Sequence, residues 1–307
     1  MRRGIGLQYV LEVGSTNFMK SGYFRFSPPN YSNLRKATFF ASLTAFCVLT
    51  CIYSTASPAL EIPSEVTISL GFLKQDSSTT NIETVVIMGE ALYLAEVSAG
   101  GKAREWTFDA SGVPLGVEIF NDELPPAVQS SVSRLLGSGG TLSALSRTFE
   151  HGRDVFEVEI ATPKGTRAYA FYGDGRPQST EVLTTELPPR LFKVLKKRFA
   201  GATPDKCFQS EDNGAIYFTV GLPRPNGPLW ITFDAEGALS EQEERIEWSE
   251  APPALQNALL EKFTTRDHTR IIRTNEGNEV TFEIWVYTPE RLEIYSASQD
   301  GTLEKLR

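Results

Sequence analysis

Beyond residue 60 the apolar positions change period in a regular way. Short stretches with apolar side chains at i, i+4 and i+8 give way to longer ones in which every second residue is apolar. The first pattern is a helix with one buried face; the second is a strand with one buried face. Val128, Val132, Leu135 and Leu136 make one stripe, Leu191, Leu195 and Phe199 the next, and Leu255, Leu259 and Phe263 the last. Val66, Leu70 and Leu73 follow the pattern more loosely. The three clear stripes start at Pro125-Pro126, Pro188-Pro189 and Pro252-Pro253. Proline is at home in a first helical turn, where its missing N–H would have had no partner anyway. Three firm helices and one looser one are predicted.

Strands follow each stripe. Phe156, Val158 and Ile160 alternate with Val155, Glu157 and Glu159; Ile216, Phe218 and Val220 do likewise, as do Val280, Phe282, Ile284 and Val286. A hairpin and a second strand come next, ending in an aromatic: Phe108, Phe171, Phe233 and Tyr295. From Tyr93, Phe156 and Phe218 to the first three of these is 15 residues; from Phe282 to Tyr295 it is 13, which predicts a fourth hairpin shorter by two. Each aromatic precedes a glycine turn at Gly112, Gly175, Gly237 or Gly301. Asp109, Asp174, Asp234 and Asp300 stand in those turns, Asp to accept local N–H bonds and Gly to take the positive φ.

The proline pairs step by 63 and 64 residues and the glycines by 63, 62 and 64. Two independent markers on one period indicate an internal repeat. The reading divides the chain into a head, 1–59, and four units, 60–118 (degenerate), 119–181, 182–245 and 246–307. The expected fold class is α+β: tandem repeats, each one helix packed on a small antiparallel β-sheet. A 60-residue unit alone buries only about 60% of its unfolded surface. The units should therefore join, either two by two or as one continuous array.

Leu124-Pro125-Pro126, the helix stripe, Phe156-Glu157-Val158 and the later Phe-Asp-x-x-Gly turn resemble the PepSY-like repeat, grouped with the β-lactamase-inhibitor-like proteins of bacterial periplasms. The third unit is the most typical, with Leu187-Pro188-Pro189, Ile216-Tyr217-Phe218 and Phe233-Asp234-Ala235-Glu236-Gly237. The resemblance covers residues 60–307, and Tyr295-Ser296-Ala297 departs from it. It implies an exported binding or inhibitory module and brings no catalytic residues with it.

Charge changes the picture at the N-terminus. Residues 1–59 hold Arg2, Arg3, Lys20, Arg25, Arg35 and Lys36 against Glu12 alone, a net of +5, while the rest carries −13 of the overall −8. Arg35-Lys36 leads into 37–53, which has no charge, and then into the small residues Ser54, Thr55, Ala56 and Ser57. That is the layout of a secretory signal, with Met19 a candidate start and the mature chain beginning near Ser57 or Leu60. The alternative is an uncleaved inner-membrane anchor at 37–53. Membrane contact is expected only in that case, and the acidic remainder excludes a general nucleic-acid binder.

Three Cys (47, 51, 207) and two His (151, 268) rule out a disulfide framework and a Cys/His zinc site. No metalloprotease, nucleophile-elbow or phosphate-loop motif is present. Gly137-Ser138-Gly139-Gly140 follows a helix instead of preceding one and reads as a helix stop. His151 and His268 read as exposed loop residues, Cys207 as a small half-buried one, and the Asp turns hold too few oxygens for calcium. The basic run Lys193, Lys196, Lys197 and Arg198 reads as a solvated helix face; Glu241, Glu243, Glu244, Glu247 and Glu250 make an opposite run in the last strand and linker, and the two could meet between units. No catalytic, cofactor or metal site is expected, so the chain reads as a non-enzymatic partner of another protein. By strand alternation Tyr217, Trp230, Trp285 and Tyr287 point to the sheet face that no helix covers. Aromatics there make either a protein-recognition patch or a packing surface for another unit.

Overall fold

A computed structural model describes residues 61–73, 78–137, 139–163, 165–263 and 267–307. The basic head, the segment 37–53 and the proposed processing region lie outside the described residues. The order of elements recurs four times. First come α1 (Ser64–Gly71), β1 (Ser78–Ile87), β2 (Glu90–Ala99), β3 (Lys102–Asp109) and β4 (Pro114–Glu118). Next are α2 (Pro126–Leu136), β5 (Thr141–Glu150), β6 (Arg153–Thr162), β7 (Gly165–Tyr172) and β8 (Pro177–Glu181). Then follow α3 (Pro189–Arg198), β9 (Lys206–Asp212), β10 (Ala215–Leu222), β11 (Leu229–Asp234) and β12 (Leu239–Ile246). The last set is α4 (Pro253–Phe263), β13 (Thr269–Glu276), β14 (Glu279–Tyr287), β15 (Leu292–Ser298) and β16 (Leu303–Lys305).

The strands do not form small separate sheets, and here the expected fold class is wrong. All sixteen lie in one antiparallel sheet in strict chain order, β1 to β16. The joints are real ladders. β4 pairs β5 at Gly116↔Thr148, Val117↔Arg147 and Glu118↔Ser146; β8 pairs β9 at Thr180↔Gln209 and Glu181↔Phe208; β12 pairs β13 over Glu241–Ile246. The physical reason lies at the edges. The fourth strand of a small sheet would end in a row of unpaired N–H and C=O groups, and the first strand of the next unit satisfies them.

Locally the elements form for the reasons the pattern suggests. Val128 and Val132, Leu191 and Leu195, and Leu255 and Leu259 are the buried apolar positions of their helices, while Lys193, Lys196, Lys197 and Arg198 are exposed. A short 3₁₀ turn precedes each of the last three helices, at Asn121–Glu123, Thr184–Glu186 and Trp248–Glu250. The closing glutamate accepts the N–H three residues back: Phe120 to Glu123 at 2.8 Å, Leu183 to Glu186 at 2.8 Å, Glu247 to Glu250 at 2.9 Å. At the glycine turns Asp109, Asp174, Asp234 and Asp300 accept backbone N–H bonds from two residues ahead. Gly175 has φ +80°, and a Cβ on it would sit 2.6 Å from the Ala127 carbonyl oxygen of α2. The glycine rhythm thus has a second cause, the close approach of turn and helix.

The 15-residue spacing is a cross-strand register: Tyr93↔Phe108, Phe156↔Phe171 and Phe218↔Phe233 face each other. In the fourth unit Phe282 pairs with Ala297, again 15 residues on, and Ile284 with Tyr295. The fourth hairpin is therefore not shortened in register; its aromatic has moved two places along the strand.

Packing separates into two kinds. Three apolar clusters are local, each a helix on its own strands: Val128 and Val132 with Phe156 and Phe171, Leu191 and Leu195 with Phe218 and Phe233, and Leu255 and Leu259 with Phe282 and Tyr295. The fourth is not local. It joins Val66, Met88 and Trp106 of the first unit to Phe149 of the second, Trp230 of the third and Trp285, Tyr287 and Ile294 of the last.

Candidate functional site: the cleft at the closing seam

The long-range cluster brings the start of the sheet against its later strands. The Arg224 N–H, just after β10, donates to the Met88 carbonyl of the β1–β2 turn at 3.2 Å. Gly89 in that turn lies so close to the Arg224 carbonyl that no side chain fits. Arg270 on β13 donates to Glu90, and to Asp109 at 3.1 Å. Arg270 is 4% exposed, Glu90 2% and Asp109 0%, so this is a fully buried ion cluster. Such charges are tolerated only when paired and hydrogen-bonded. Arg245 on β12 adds a longer ion pair to Glu90 at 3.6 Å and another to Glu247 at 3.8 Å.

Beside that cluster α1 meets the start of β13. Ser69 Oγ and His268 Nδ1 are 3.0 Å apart, and the Phe72 ring packs edge-on to His268 at 5.3 Å. His268 has φ +55°, the left-handed region, and is 8% exposed; the expectation of an exposed loop histidine is corrected here. Ser69 is 0% exposed, and Gly112 closes over its hydroxyl. A Ser–His contact suggests nucleophilic chemistry, which needs an approachable oxygen. This hydroxyl is sealed, so the pair pins α1 to β13.

Next to the pair a cleft of about 390 Å³ opens to solvent. The first unit supplies Glu65, Ala110 and Ser111; β12 and the turn after it supply Arg245, Glu247 and Trp248; the start of β13 supplies Asp267, His268 and Thr269. Glu247 and Asp267 are exposed, and Glu65 and Trp248 are half-buried. His268 forms part of the wall.

A second polar centre is enclosed. Glu150, 3% exposed, accepts hydrogen bonds from Tyr172 Oη at 2.9 Å and from Gln178 Nε2 at 3.0 Å. Burial, with Glu283 and Glu241 nearby, pushes its carboxyl up to about 8. Glu118 is also raised to about 8, by burial first and then by Glu105. His151, half-buried at the β5–β6 turn instead of exposed, faces Glu283 at 3.1 Å.

The residues singled out from the sequence are placed as follows. Trp230 is 5% exposed, Trp285 1% and Tyr287 3%, while Tyr217 is half-buried. The first three belong to the long-range cluster: Trp285 packs on Phe149 at 6.2 Å and Tyr287 on Phe72 at 5.5 Å. Their face is a packing surface for other units. Cys207 is 2% exposed, more buried than expected, and burial raises its thiol to about 11. Glu244 meets Arg224 and Arg273, and Glu247 meets Arg245. The cleft itself escaped the sequence, since residues 65, 110, 245 and 268 share no local motif. Their only signal was the off-pattern His268.

Among the described residues no group of three His, Cys, Asp or Glu is placed to hold a metal, and no helix is long and apolar enough to cross a membrane. No family model and no curated protein matches the chain. Solved structures similar in part include a DUF2874-family protein from Bacteroides ovatus, 13% identical over 39% of this chain and 87% of that one, TM-score 0.33. A BLIP-like protein from Bacteroides fragilis is 20% identical over 40% of this chain and 88% of its own, TM-score 0.31. A Bacteroides eggerthii protein described as periplasmic is 15% identical over 38% and 88%, TM-score 0.32.

Proposed function

We propose that the chain is an exported, non-enzymatic protein-binding module of the PepSY-like and β-lactamase-inhibitor-like kind, acting in the periplasm or outside the cell. In this reading its four units, 60–118, 119–181, 182–245 and 246–307, are fused by the sheet into one body. Its partner is a secreted or periplasmic protein, as for an inhibitor or propeptide. One observation carries the reading: the Ser69–His268 pair is sealed beneath Gly112, while the cleft beside it is open and lined by groups suited to recognition. The net charge of −13 beyond residue 59 adds long-range attraction for a basic partner. The +5 head before an uncharged segment supports export.

The test is capture of a stoichiometric complex from envelope extract by the full chain, read by size-exclusion chromatography and mass spectrometry. The complex should weaken as salt rises. Absence of any complex from low to high salt would remove the binding-module reading. A chain that stays in washed membranes with residues 20–50 attached would instead be the anchored scaffold of the alternative reading.

A further inference from the structure

We propose that the chain pairs with a second copy of itself through β1, the two strands meeting antiparallel about a two-fold axis at Thr84. This is independent of any envelope partner. The described sheet ends in two edges, β1 and β16, and they are built differently. β16 spans only Leu303–Lys305 and exposes Glu304 and Lys305; behind it the Leu306 and Arg307 N–H groups fold back onto the Ile294 carbonyl. Short, charged edges of that kind resist pairing. β1 runs for ten residues, Ser78–Ile87, with neither Lys nor Pro, and Glu83 is its one charge. A bulge between Thr79 and Asn81 bends its start and leaves 82–87 as a regular stretch.

Register supplies the fit. Ile87 pairs with Glu90 across the two-residue turn Met88-Gly89, whose φ angles are +51° and +88°. Such a turn makes Ile87↔Glu90 a hydrogen-bonded pair, so by alternation Ile82, Thr84 and Val86 turn their N–H and C=O groups away from β2. Among the described residues those groups have no backbone partner. An axis at Thr84 sets Thr84 against Thr84 and Val86 against Ile82 of the second copy, joining all three outward residues in about six ladder hydrogen bonds. Val86 is 58% exposed, the highest value of any large apolar side chain described, and the pairing covers it. Glu83 then faces Val85 of the second copy, whereas moving the axis to Glu83 would oppose the two carboxylates. Because β16 is blunted, β1 of one copy meets only β1 of another, and the assembly closes as a pair instead of growing into a fibre.

The experiment is sedimentation equilibrium on the full chain. A ladder of this length makes an interface at the small end, below about 1,200 Å², so the dissociation constant should be on the order of 10 μM. Higher salt should favour the pair, because each copy carries a net charge of −8; the envelope complex responds in the opposite sense. Val86→Lys should raise the constant by about tenfold, since a symmetric pair counts the change twice. Leu183→Lys alters an equally exposed apolar side chain, at 57%, and should leave the constant unaltered. Circular dichroism should be unchanged in both variants. Cross-linking reads the register. With Cys47→Ser and Cys51→Ser in the background and Cys207 buried, Thr84→Cys should give a disulfide-linked dimer on mild oxidation, and Val86→Cys, which faces Ile82, should not. A wild type that stays monomeric throughout would overturn the proposal and leave the edge to residues before 61 or to a partner's strand. So would equal weakening by Leu183→Lys, a dimer that survives Val86→Lys at full strength, or equal cross-linking through Val86→Cys.

Discussion

Leu191 and Trp285 are both core residues, but they are buried by different parts of the chain. Leu191 packs on Phe218, Val220 and Ile231, all within one helix and the strands that follow it. Trp285 packs on Phe149, more than a hundred residues earlier, in a cluster that reaches back to Val66 and Met88. The first kind of core closes locally, at the low entropy cost of a short loop. The second closes only when the sheet has been laid down and its start meets its later strands. The same division separates apolar from charged interiors. The local cores are hydrophobic, whereas the seam contains Arg270, Glu90 and Asp109, and near it Glu150 and Glu283. A seam of paired charges fits one partner surface and rejects sliding, which a greasy surface would allow; we offer this as the reason charge is kept there.

The largest expected effects test whether the seam is shared. Trp285→Ala should cost about 3–5 kcal/mol, and Leu191→Ala about 2–5 kcal/mol, from lost burial and residual cavity. The magnitudes overlap, but the spread should not. Hydrogen exchange should quicken in both β14 and β1–β3 for Trp285→Ala, and only across α3 to β12 for Leu191→Ala. If exchange in Trp285→Ala changes nowhere outside the last unit, the shared core is wrong.

Arg270→Leu comes next. It leaves Glu90 with only the longer Arg245 contact and Asp109 without its arginine, at a cost of about 3 kcal/mol in urea unfolding. Adding Asp109→Asn should recover part of that loss, because the penalty lies in the stranded charge. No recovery would mean that Arg270 contributes by packing alone.

Much of the local architecture was legible. Proline pairs, i, i+4 stripes and Asp–Gly turns each act within about ten residues, and they located the last three helices and the hairpins. Even the 15-residue spacing proved to be ladder register, although Tyr295 misled because its strand shifted the aromatic by two places. What could not be read was anything made at a distance. Period two assigned Trp230, Trp285 and Tyr287 to the face without a helix, but nothing local says whether such a face meets water or another unit. Likewise the alternation marked the central hairpin strands of each unit, such as β6 and β7, and was silent on the strand before them and on whether the last strand would be an edge. The cleft failed for the same reason: Ser69 and His268 are 199 residues apart.

The smallest expected effect concerns the enclosed carboxyls. Burial lifts Glu150 from an ordinary 4.5 to about 8, against the lowering effect of hydrogen bonds from Tyr172 and Gln178. Between those values the native chain keeps a proton that the unfolded chain has released, so raising the pH favours unfolding. Stability from neutral Glu150 is therefore complete below about pH 4.5 and is lost as the pH climbs through about 8. Glu118 acts in the same window and direction. Glu293 opposes them at the acid end: burial disfavours its charge, but hydrogen bonds from Lys305, Tyr295 and Arg291 hold it near 2, so its contribution disappears only as the pH falls from 4.5 toward that value. The urea midpoint should accordingly be higher at pH 5 than at pH 8. Glu150→Gln imitates the protonated side chain but offers only one acceptor oxygen for two donors. It should cost about 1 kcal/mol at pH 5 and flatten the decline toward pH 8. A local-core change such as Leu191→Ala should shift the whole curve without altering its slope. Equal slopes in the wild type and Glu150→Gln would show that Glu150 is already ionised in the native chain, and that this side of the molecule is wetter than its burial indicates.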